Sequence, residues 1–290
     1  MTSDKFAIFI LTHGRPDNIK TIRSLTKSNY TGDTYLIIDD EDKTADQYRA
    51  NFGEKKVIQF NKKDAAKITD IGDSIQTLRG VTYARNISQK IAKEMGYDYI
   101  LQLDDDYTTF CYRYVEAGVI KSKTIHNFDL IVKVIIQFMK DAGATTIAMS
   151  QGGDHIGGID GSIDKGILRK AMNSFMINTN KPINFRGRIN EDVNAYVVSG
   201  ATGDLFFTVM NLQLTQMQTQ KSKGGLTEIY LDSGTYVKSF YTVMMAPSCV
   251  TVKTMGEVNR RFHHSISWNN AVPKIISGRH RKNADTVMRP

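Results

Sequence analysis

The central stretch of this chain reads Tyr97-Asp98-Tyr99-Ile100-Leu101-Gln102-Leu103-Asp104-Asp105-Asp106-Tyr107. An apolar run that ends in acids is typical of a buried central strand whose last residues emerge at the edge of a sheet. That edge is where open α/β sheets bind ligands. Because side chains alternate along a strand, we expect Asp104 and Asp106 to point to one face and Asp105 to the other.

Three adjacent carboxylates repel one another and raise each other's pKa unless a cation lies among them. A hard divalent ion such as Mn2+ or Mg2+ suits ligation by oxygen alone, which makes Asp104 and Asp106 candidate metal ligands. The alternative is a solvated acidic turn that binds nothing. Only the surrounding sequence distinguishes the two interpretations.

Short apolar runs alternate with helical patterns through the first 110 residues. The runs predict strands at residues 6–11, 35–38 and 57–60, and the patterns predict helices at residues 18–28, 44–52 and 81–95. In the last of these helices, Arg85 and Asn86 lie off the apolar stripe that Ala84, Ile87 and Ile91 form. This alternation predicts an α/β fold with a mostly parallel sheet and helices on both of its faces.

The second half of the chain has a different pattern. A helix is predicted at residues 127–141 and a strand at 146–150, while residues 171–184 and 225–252 have strand-like spacing. This half is therefore predicted to be rich in antiparallel strands. Since no Pro- or Ser-rich linker interrupts the sequence, we expect a single domain over residues 1–290, with parts at 1–110 and 111–276 and a basic, mobile tail at 277–290.

Composition limits the kind of partner and the compartment. The formal net charge is +8 and the pI is about 9.3, which suggests an anionic partner. Two cysteines, Cys111 and Cys249, are too few for a disulfide framework or a zinc cluster and fit a reducing cytoplasm. The first residues lack a signal-peptide pattern, and no apolar run is long enough to cross a bilayer. We expect a soluble, non-secreted protein with no membrane partner.

Four features follow one another in a specific order. Thr12-His13-Gly14-Arg15-Pro16 follows the first strand, Asp39-Asp40 ends the second, Ala84-Arg85-Asn86 lies on a helix, and the three aspartates come next. In this order they resemble the nucleotide-sugar-binding half of glycosyltransferases with the GT-A fold, particularly those of family 2. The resemblance implies a GT-A (Rossmann-like) fold in which residues 1–110 bind the nucleotide sugar and residues 111–276 form the acceptor side.

The resemblance also implies a metal-dependent transferase that uses a UDP-sugar as donor. The expected donor-binding residues are Thr12, His13, Arg15, Asp39, Asp40, Arg85, Asp104 and Asp105. The expected ligands of Mn2+ or Mg2+ are Asp104 and Asp106, with His263 or His264 as one further ligand. Cations that could help to neutralise the diphosphate are Arg15, Arg85, Arg260 and Arg261, although a surface ion pair is the alternative role for each.

An acid pair in the second half is the candidate for the catalytic base. Similar transferases carry such a pair at about this distance after their aspartate motif, and one carboxylate takes the proton of the acceptor hydroxyl. We predict Asp192 as this base, with Glu191 as second choice. The alternative is a charge at a helix N-terminus or an ion pair with Arg186 or Arg188.

The acceptor is suggested by Ile10-Leu11-Thr12-His13-Gly14-Arg15-Pro16, which, together with the cationic balance, resembles the TET-associated glycosyltransferases of bacteriophages. This resemblance implies a phage enzyme of the host cytoplasm that adds a sugar to 5-hydroxymethylcytosine or 5-hydroxymethyluracil in double-stranded DNA. The basic tail, with Arg279, Arg281 and Lys282, is predicted to bind that DNA, assisted by residues 169–170 and 221–223.

Two other functions are open on the sequence alone. The first is a GT-A glycosyltransferase that acts on a glycan, a lipid-linked saccharide or a protein. The second is a nucleic-acid-binding module that has kept the α/β scaffold without catalysis.

Overall fold

The protein is described here by a computed structural model that covers residues 4–163, 171–216, 237–256 and 260–271. Within these ranges no helix is both long and apolar enough to cross a membrane.

A large sheet runs through both halves of the described chain. Its strands are β1 (Phe6–Leu11), β2 (Asp33–Asp39), β3 (Val57–Phe60), β4 (Tyr99–Asp104), β5 (Tyr107–Glu116), β6 (Val119–Thr124), β7 (Thr146–Gln151), β8 (Ser174–Asn178) and β9 (Phe206–Gln216). Their spatial order is β3-β2-β1-β4-β8-β7-β9-β5-β6. The first four strands are parallel, β8 is antiparallel to β4 and β7, and β5 is antiparallel to β6 and β9. The predicted fold class, mostly parallel with an antiparallel part, is confirmed.

Helices cover the sheet, and a separate hairpin follows it. The helices are α1 (Lys20–Lys27), α2 (Ala45–Phe52), α3 (Lys62–Lys67), α4 (Thr82–Glu94), α5 (Phe128–Ala142), α6 (Glu191–Ala201), α7 (Val237–Met245) and α8 (Trp268–Ala271). The hairpin consists of β10 (Val250–Met255) and β11 (Arg261–Ile266), which pair antiparallel.

Two of these helices differ from the sequence prediction. Helix α3 lies in a polar stretch for which no element was predicted, and it begins where the side chain of Asn61 accepts a hydrogen bond from Asp64 N. Helix α7 lies in a segment whose Val, Phe and Tyr residues suggested a strand. Val237 and Tyr241, one helical turn apart, pack together with Ile189, so tertiary packing outweighs the β-propensity of these residues.

The alternation of side chains along β1 divides the core into two layers. Ile8 and Ile10 belong to the layer that α1 and α5 cover, whereas Phe9 belongs to the layer that α4 and α6 cover. Both faces of the strand are thus buried, which explains why its sequence is apolar throughout.

The carboxyl ends of the parallel strands are level with one another. Leu11, the last residue of β1, pairs with Ile37 on one side and with Asp104 on the other. Strand β4 stops at Asp104, and the chain turns through Asp105 and Asp106 into β5. The expectation that strand alternation extends to Asp106 is therefore wrong, because the turn sets the directions of the last two carboxylates.

Candidate active site

The loop after β1 is fixed by a buried tyrosine and by the central acids. Thr12 Oγ1 donates to Asp105 Oδ2 at 2.7 Å and lies 2.9 Å from the hydroxyl of Tyr48. The same hydroxyl accepts from Arg15 N at 2.8 Å, and Arg15 Nη1 donates to Asp105 Oδ1 at 2.9 Å. Three predicted donor-binding residues, Thr12, Arg15 and Asp105, are thus in direct contact.

A second cluster lies at the end of β2. Asp39 Oδ2 is 2.8 Å from His13 Nδ1, and Asp39 Oδ1 accepts from Lys62 Nζ at 3.2 Å. Burial raises the pKa of Asp39, but the hydrogen bond from His13 and the charge of Lys62 outweigh it, so the net pKa is lowered. The pKa of His13 is raised, first by its hydrogen bond to Asp39. His13 and Asp39 are therefore joined by a hydrogen bond at the carboxyl edge of the sheet.

Asp40 faces a different neighbour from Asp39. Its carboxylate accepts from Asn61 Nδ2 at 2.6 Å and from Lys62 N at 2.9 Å, at the start of α3. Of the two adjacent acids, Asp39 is the one that contacts the loop after β1. Donor binding by either acid stays a prediction, and the geometry favours Asp39.

The three central aspartates have different surroundings. Asp104 Oδ1 accepts from Arg85 Nη2 at 3.1 Å, and Asp105 is buried against Thr12 and Arg15. Asp106 is held only weakly, by Gln216 Nε2 at 3.4 Å from its Oδ2. Burial, followed by the charges of Asp104 and Asp105, raises the pKa of Asp106 to about 6.

Arg85 connects the two halves of the site. Its Nε donates to Glu191 Oε1 at 3.0 Å while its Nη2 binds Asp104. The side chain is 2% exposed and stacks on the ring of Phe175, with 5.0 Å between its guanidinium carbon and the ring centre. Burial opposes the charge, but the two carboxylates outweigh it and raise the pKa of Arg85. This arginine lies off the apolar stripe of α4 and is buried nonetheless, because the buried Glu191 and the half-buried Asp104 balance its charge.

The acid pair at the start of α6 divides into two roles. Glu191 is buried and forms its ion pair with Arg85, not with Arg186 or Arg188 as the alternative interpretation expected. Asp192 is partly exposed, and its Oδ1 accepts from Val193 N at 2.8 Å in the first turn of the helix. The geometry thus favours Asp192 over Glu191 as the acid that meets an acceptor, and the role itself stays a prediction.

The histidine pair lies on β11, against the start of α6. His264 Nδ1 is 3.4 Å from Asn190 Nδ2, and His263 Nδ1 donates to the carbonyl of His264 at 2.7 Å. Burial, together with nearby His263 and Lys238, lowers the pKa of His264 to about 4. A neutral imidazole is the form that binds metals, and metal ligation by either histidine stays a prediction.

The residues present fit a partly hydrated divalent ion. In the described ranges no three His, Cys, Asp or Glu side chains are grouped to hold a metal by themselves. Asp106 Oδ1, however, is buried without a hydrogen-bond partner, and the charge of Asp104 bears on it. Mg2+ commonly uses one or two carboxylates and completes its shell with water and substrate phosphates, which matches this pair.

Several residues at this edge were not predicted from sequence. They are Tyr48, Lys62, Asp42 and Gln216, and of these Asp42 accepts from Gly14 N at 2.8 Å. Lys62 follows the third parallel strand, so the rule that ligand groups follow strand ends could have identified it. Tyr48 gives no such signal, because it lies inside a helix. The predicted DNA-binding residues Arg279, Arg281 and Lys282, and the lysines and arginine at 169–170 and 221–223, lie outside the described residues.

The fold is similar to that of glucosyl-3-phosphoglycerate synthase from Mycobacterium tuberculosis, crystallised with Mg2+ and UDP. The TM-score is 0.50 at 8% sequence identity, over 91% of this chain and 88% of that one. The same enzyme with Mn2+, UDP and glucosyl-3-phosphoglycerate has a TM-score of 0.49 at 10% identity, over 91% and 88%. No curated protein sequence matches this chain. The similarity to the first of these structures assigns the GT-A fold to this chain.

The family follows from the sequence itself. A profile of the family described as TET-Associated Glycosyltransferase matches residues 6–225. The chain belongs to this family.

Proposed function

We propose that this glycosyltransferase transfers a sugar from a UDP-sugar to the hydroxymethyl group of a modified pyrimidine in double-stranded DNA, in the cytoplasm of a phage-infected host. The bond from the anomeric carbon to the UDP oxygen breaks, and a bond from that carbon to the hydroxymethyl oxygen forms. The family description supports the DNA acceptor, and the similar fold crystallised with UDP and Mg2+ supports the donor and a divalent metal.

One observation carries the proposal: Arg85 contacts Asp104 and Glu191 at once. Asp104 belongs to the acids at the donor edge, and Glu191 precedes the candidate base Asp192. A buried guanidinium between two carboxylates holds them in a fixed relation. The acids proposed to bind the donor and the acid proposed to activate the acceptor are therefore held close together.

Each group has a role in the transfer. Asp39 with His13 binds the uracil side of the donor, and Arg15 adds positive charge near the diphosphate. Asp192 takes the proton of the acceptor hydroxyl, a role that corresponds to inversion at the anomeric carbon. A Mn2+ or Mg2+ ion held by Asp104 and Asp106 would supply positive charge to the departing diphosphate.

The test is a transfer assay with the purified full chain. We would incubate it with a panel of UDP-sugars, Mn2+ or Mg2+, and duplexes that contain 5-hydroxymethylcytosine, 5-hydroxymethyluracil or no modified base. We expect a mass increase of one sugar on one of the modified duplexes and none on the unmodified duplex. Transfer to a glycan, lipid-linked or protein acceptor, with no transfer to any duplex, would contradict the DNA acceptor and keep the donor chemistry.

A further inference from the structure

The described segments at 237–256 and 260–271 carry an excess of positive charge. Residues 237–271 contain a single acid, Glu257, which lies outside the described residues, although the whole chain has 30 acids in 290 residues. The same segments contain Lys238, Lys253, Arg260 and Arg261. These four residues, on α7 and the β10–β11 hairpin, are called the basic face below.

Among the described residues, the cations of the basic face form no ion pair with a carboxylate. Among described residues, Arg15, Arg85 and Arg188 each form an ion pair with a carboxylate, and none of the four basic-face residues does. Lys253, Arg260 and Arg261 are exposed. Positive charge that is both exposed and uncompensated attracts a polyanion and releases counterions from it.

Large apolar side chains are exposed next to these cations. Phe240 is 46% exposed on α7, and Phe262, directly after Arg261, is 50% exposed on β11. Met244, one turn after Phe240, is 52% exposed. Exposed apolar side chains of this size, grouped on neighbouring elements, are typical of an interaction surface.

The basic face is attached to the start of α6, where the candidate base lies. Asn190 has a left-handed backbone (φ 57°), and its Nδ2 donates to the carbonyl of Lys238 at 2.6 Å and to Thr242 Oγ1 at 3.2 Å. The next residues are Glu191 and Asp192. Lys238 is close enough to Asp192 and Arg261 for both charges to act on its pKa, which burial lowers. A polyanion on this face would therefore lie beside Asp192.

We propose that the basic face is the docking surface for the phosphate backbone of the acceptor DNA. The proposal rests on the proposed function, since it assigns the acceptor's backbone to a surface next to the candidate base. It places the main DNA contact on α7 and the hairpin, in addition to any contact that the tail provides. The phosphates neutralise Lys253, Arg260 and Arg261, and this brings a modified base to Asp192.

The test compares two triple variants of the full chain. The first removes the basic face with Lys253→Ala, Arg260→Ala and Arg261→Ala. The matched control removes three exposed lysines on α4, β6 and α5 with Lys93→Ala, Lys123→Ala and Lys133→Ala. Each triple lowers the formal charge from +8 to +5, because three positive charges are lost, so a difference between them reports position and not net charge. Circular dichroism melts establish that both variants are folded, and the single variants replace the triple if it is not.

Binding is measured by fluorescence anisotropy with a labelled duplex that contains 5-hydroxymethylcytosine, from 50 to 300 mM salt. For the basic-face triple we expect affinity about 10- to 100-fold weaker at low salt, and a salt slope shallower by about 2 to 3, near 0.9 per lost phosphate contact. The control triple should stay within about twofold of the wild type and keep its slope.

The outcomes separate this inference from the proposed function. Equal DNA affinity for both triple variants would contradict the assignment of the basic face as the docking surface, and the proposed sugar transfer to DNA would be unaffected. Loss of binding in the basic-face triple, with no sugar transfer by the wild type, would support the face and contradict the function. If the wild type binds no duplex but binds vesicles with anionic lipid in a way that the basic-face triple abolishes, the face is a membrane surface and the inference is wrong.

Discussion

Among the carboxylates that the structure describes, Asp106 is the one whose pKa the fold raises most. Its pKa is raised to about 6 by burial and by two neighbouring acids, against an unfolded value near 3.8. The folded state therefore binds a proton more tightly than the unfolded state. The resulting destabilisation is absent below about pH 3.8, grows as pH rises between the two pKa values, and is complete above about pH 6. A divalent ion would remove it by supplying the missing positive charge.

We predict that Asp106→Asn raises the metal-free stability at pH 7.5. Asn keeps the size and the acceptor for Gln216 without the charge, and after allowance for solvent screening the gain is about 1 kcal/mol. Urea unfolding at pH 7.5 and pH 5.0 measures it, and the gain should shrink at pH 5.0, where Asp106 is mostly protonated. An equal gain at both pH values would contradict the assignment to charge, and Mn2+ should stabilise only the wild type.

The acid pair at the start of α6 allows a comparison of two isosteric changes. Asp192→Asn should lower kcat by about 10²- to 10⁴-fold with little change in stability, because it removes the proposed base from a partly exposed position. Glu191→Gln should lower the stability by several kcal/mol, because it leaves Arg85 buried with half of its countercharge. Transfer kinetics and urea unfolding on both variants measure these effects. The reverse pattern would assign the base to Glu191.

The segment between α3 and α4 is organised around one guanidinium. Arg188 is fully buried and donates from Nε and Nη2 to the two carboxylate oxygens of Asp73, at 2.8 and 2.9 Å. Its Nη1 donates to the carbonyls of Thr77 and Arg79 at 2.7 and 2.6 Å. Tyr241 on α7 also donates to Asp73. This cluster therefore connects the segment with α7 and with the loop that precedes α6.

We predict that Arg188→Met releases this segment. The change leaves Asp73 and the carbonyls around it without their donor, at a cost of about 3 to 5 kcal/mol. Limited trypsin digestion should then cut after Arg79 faster than in the wild type, where Arg188 binds the carbonyl of Arg79, and urea unfolding should show the loss of stability. Arg186→Met, two residues earlier and partly exposed, is the control. If both variants resist trypsin equally, Arg188 does not order the segment.

The candidate donor site is built from parts that are far apart in the chain. Thr12 binds Asp105 and His13 binds Asp39, while Asp106 binds Gln216 from β9 and Arg85 binds Glu191 from α6. A ligand at this edge would therefore contact elements of both halves. A ligand that binds only this assembled state stabilises the whole molecule by mass action.

We predict that UDP with Mn2+ raises the melting temperature of the whole protein. UDP at about 100 times its Kd contributes about 2.7 kcal/mol, which corresponds to a shift of about 5 to 10 °C for a domain of this size. Excess EDTA should remove most of the shift, because the diphosphate then lacks its counterion. In a thermal shift assay Asp39→Asn should reduce the shift and Asp40→Asn should keep it. Equal shifts for both variants would contradict the assignment of Asp39 to the donor.

The strands could be predicted because burial on both faces makes them continuously apolar. The acids at their ends could be predicted to lie at the carboxyl edge of the sheet. The partners of those acids could not be predicted. Arg85 lies on a polar face of its helix, and a local pattern places such a residue in solvent. It is buried because Asp104, nineteen residues later, and Glu191, more than a hundred residues later, approach it from other elements.

The amino-acid sequence alone determined the α/β class, the order of the first strands and helices, and the acids at the edge of the sheet. These follow from local periodicity, since a strand or a helix places its side chains at fixed intervals. Only the tertiary structure decided that Asp39 faces the loop after β1 while Asp40 faces α3, and that Glu191 forms an ion pair with Arg85. Such pairings depend on contacts between residues distant in sequence, and the turn after Asp104 sets directions that no repeat along the chain encodes.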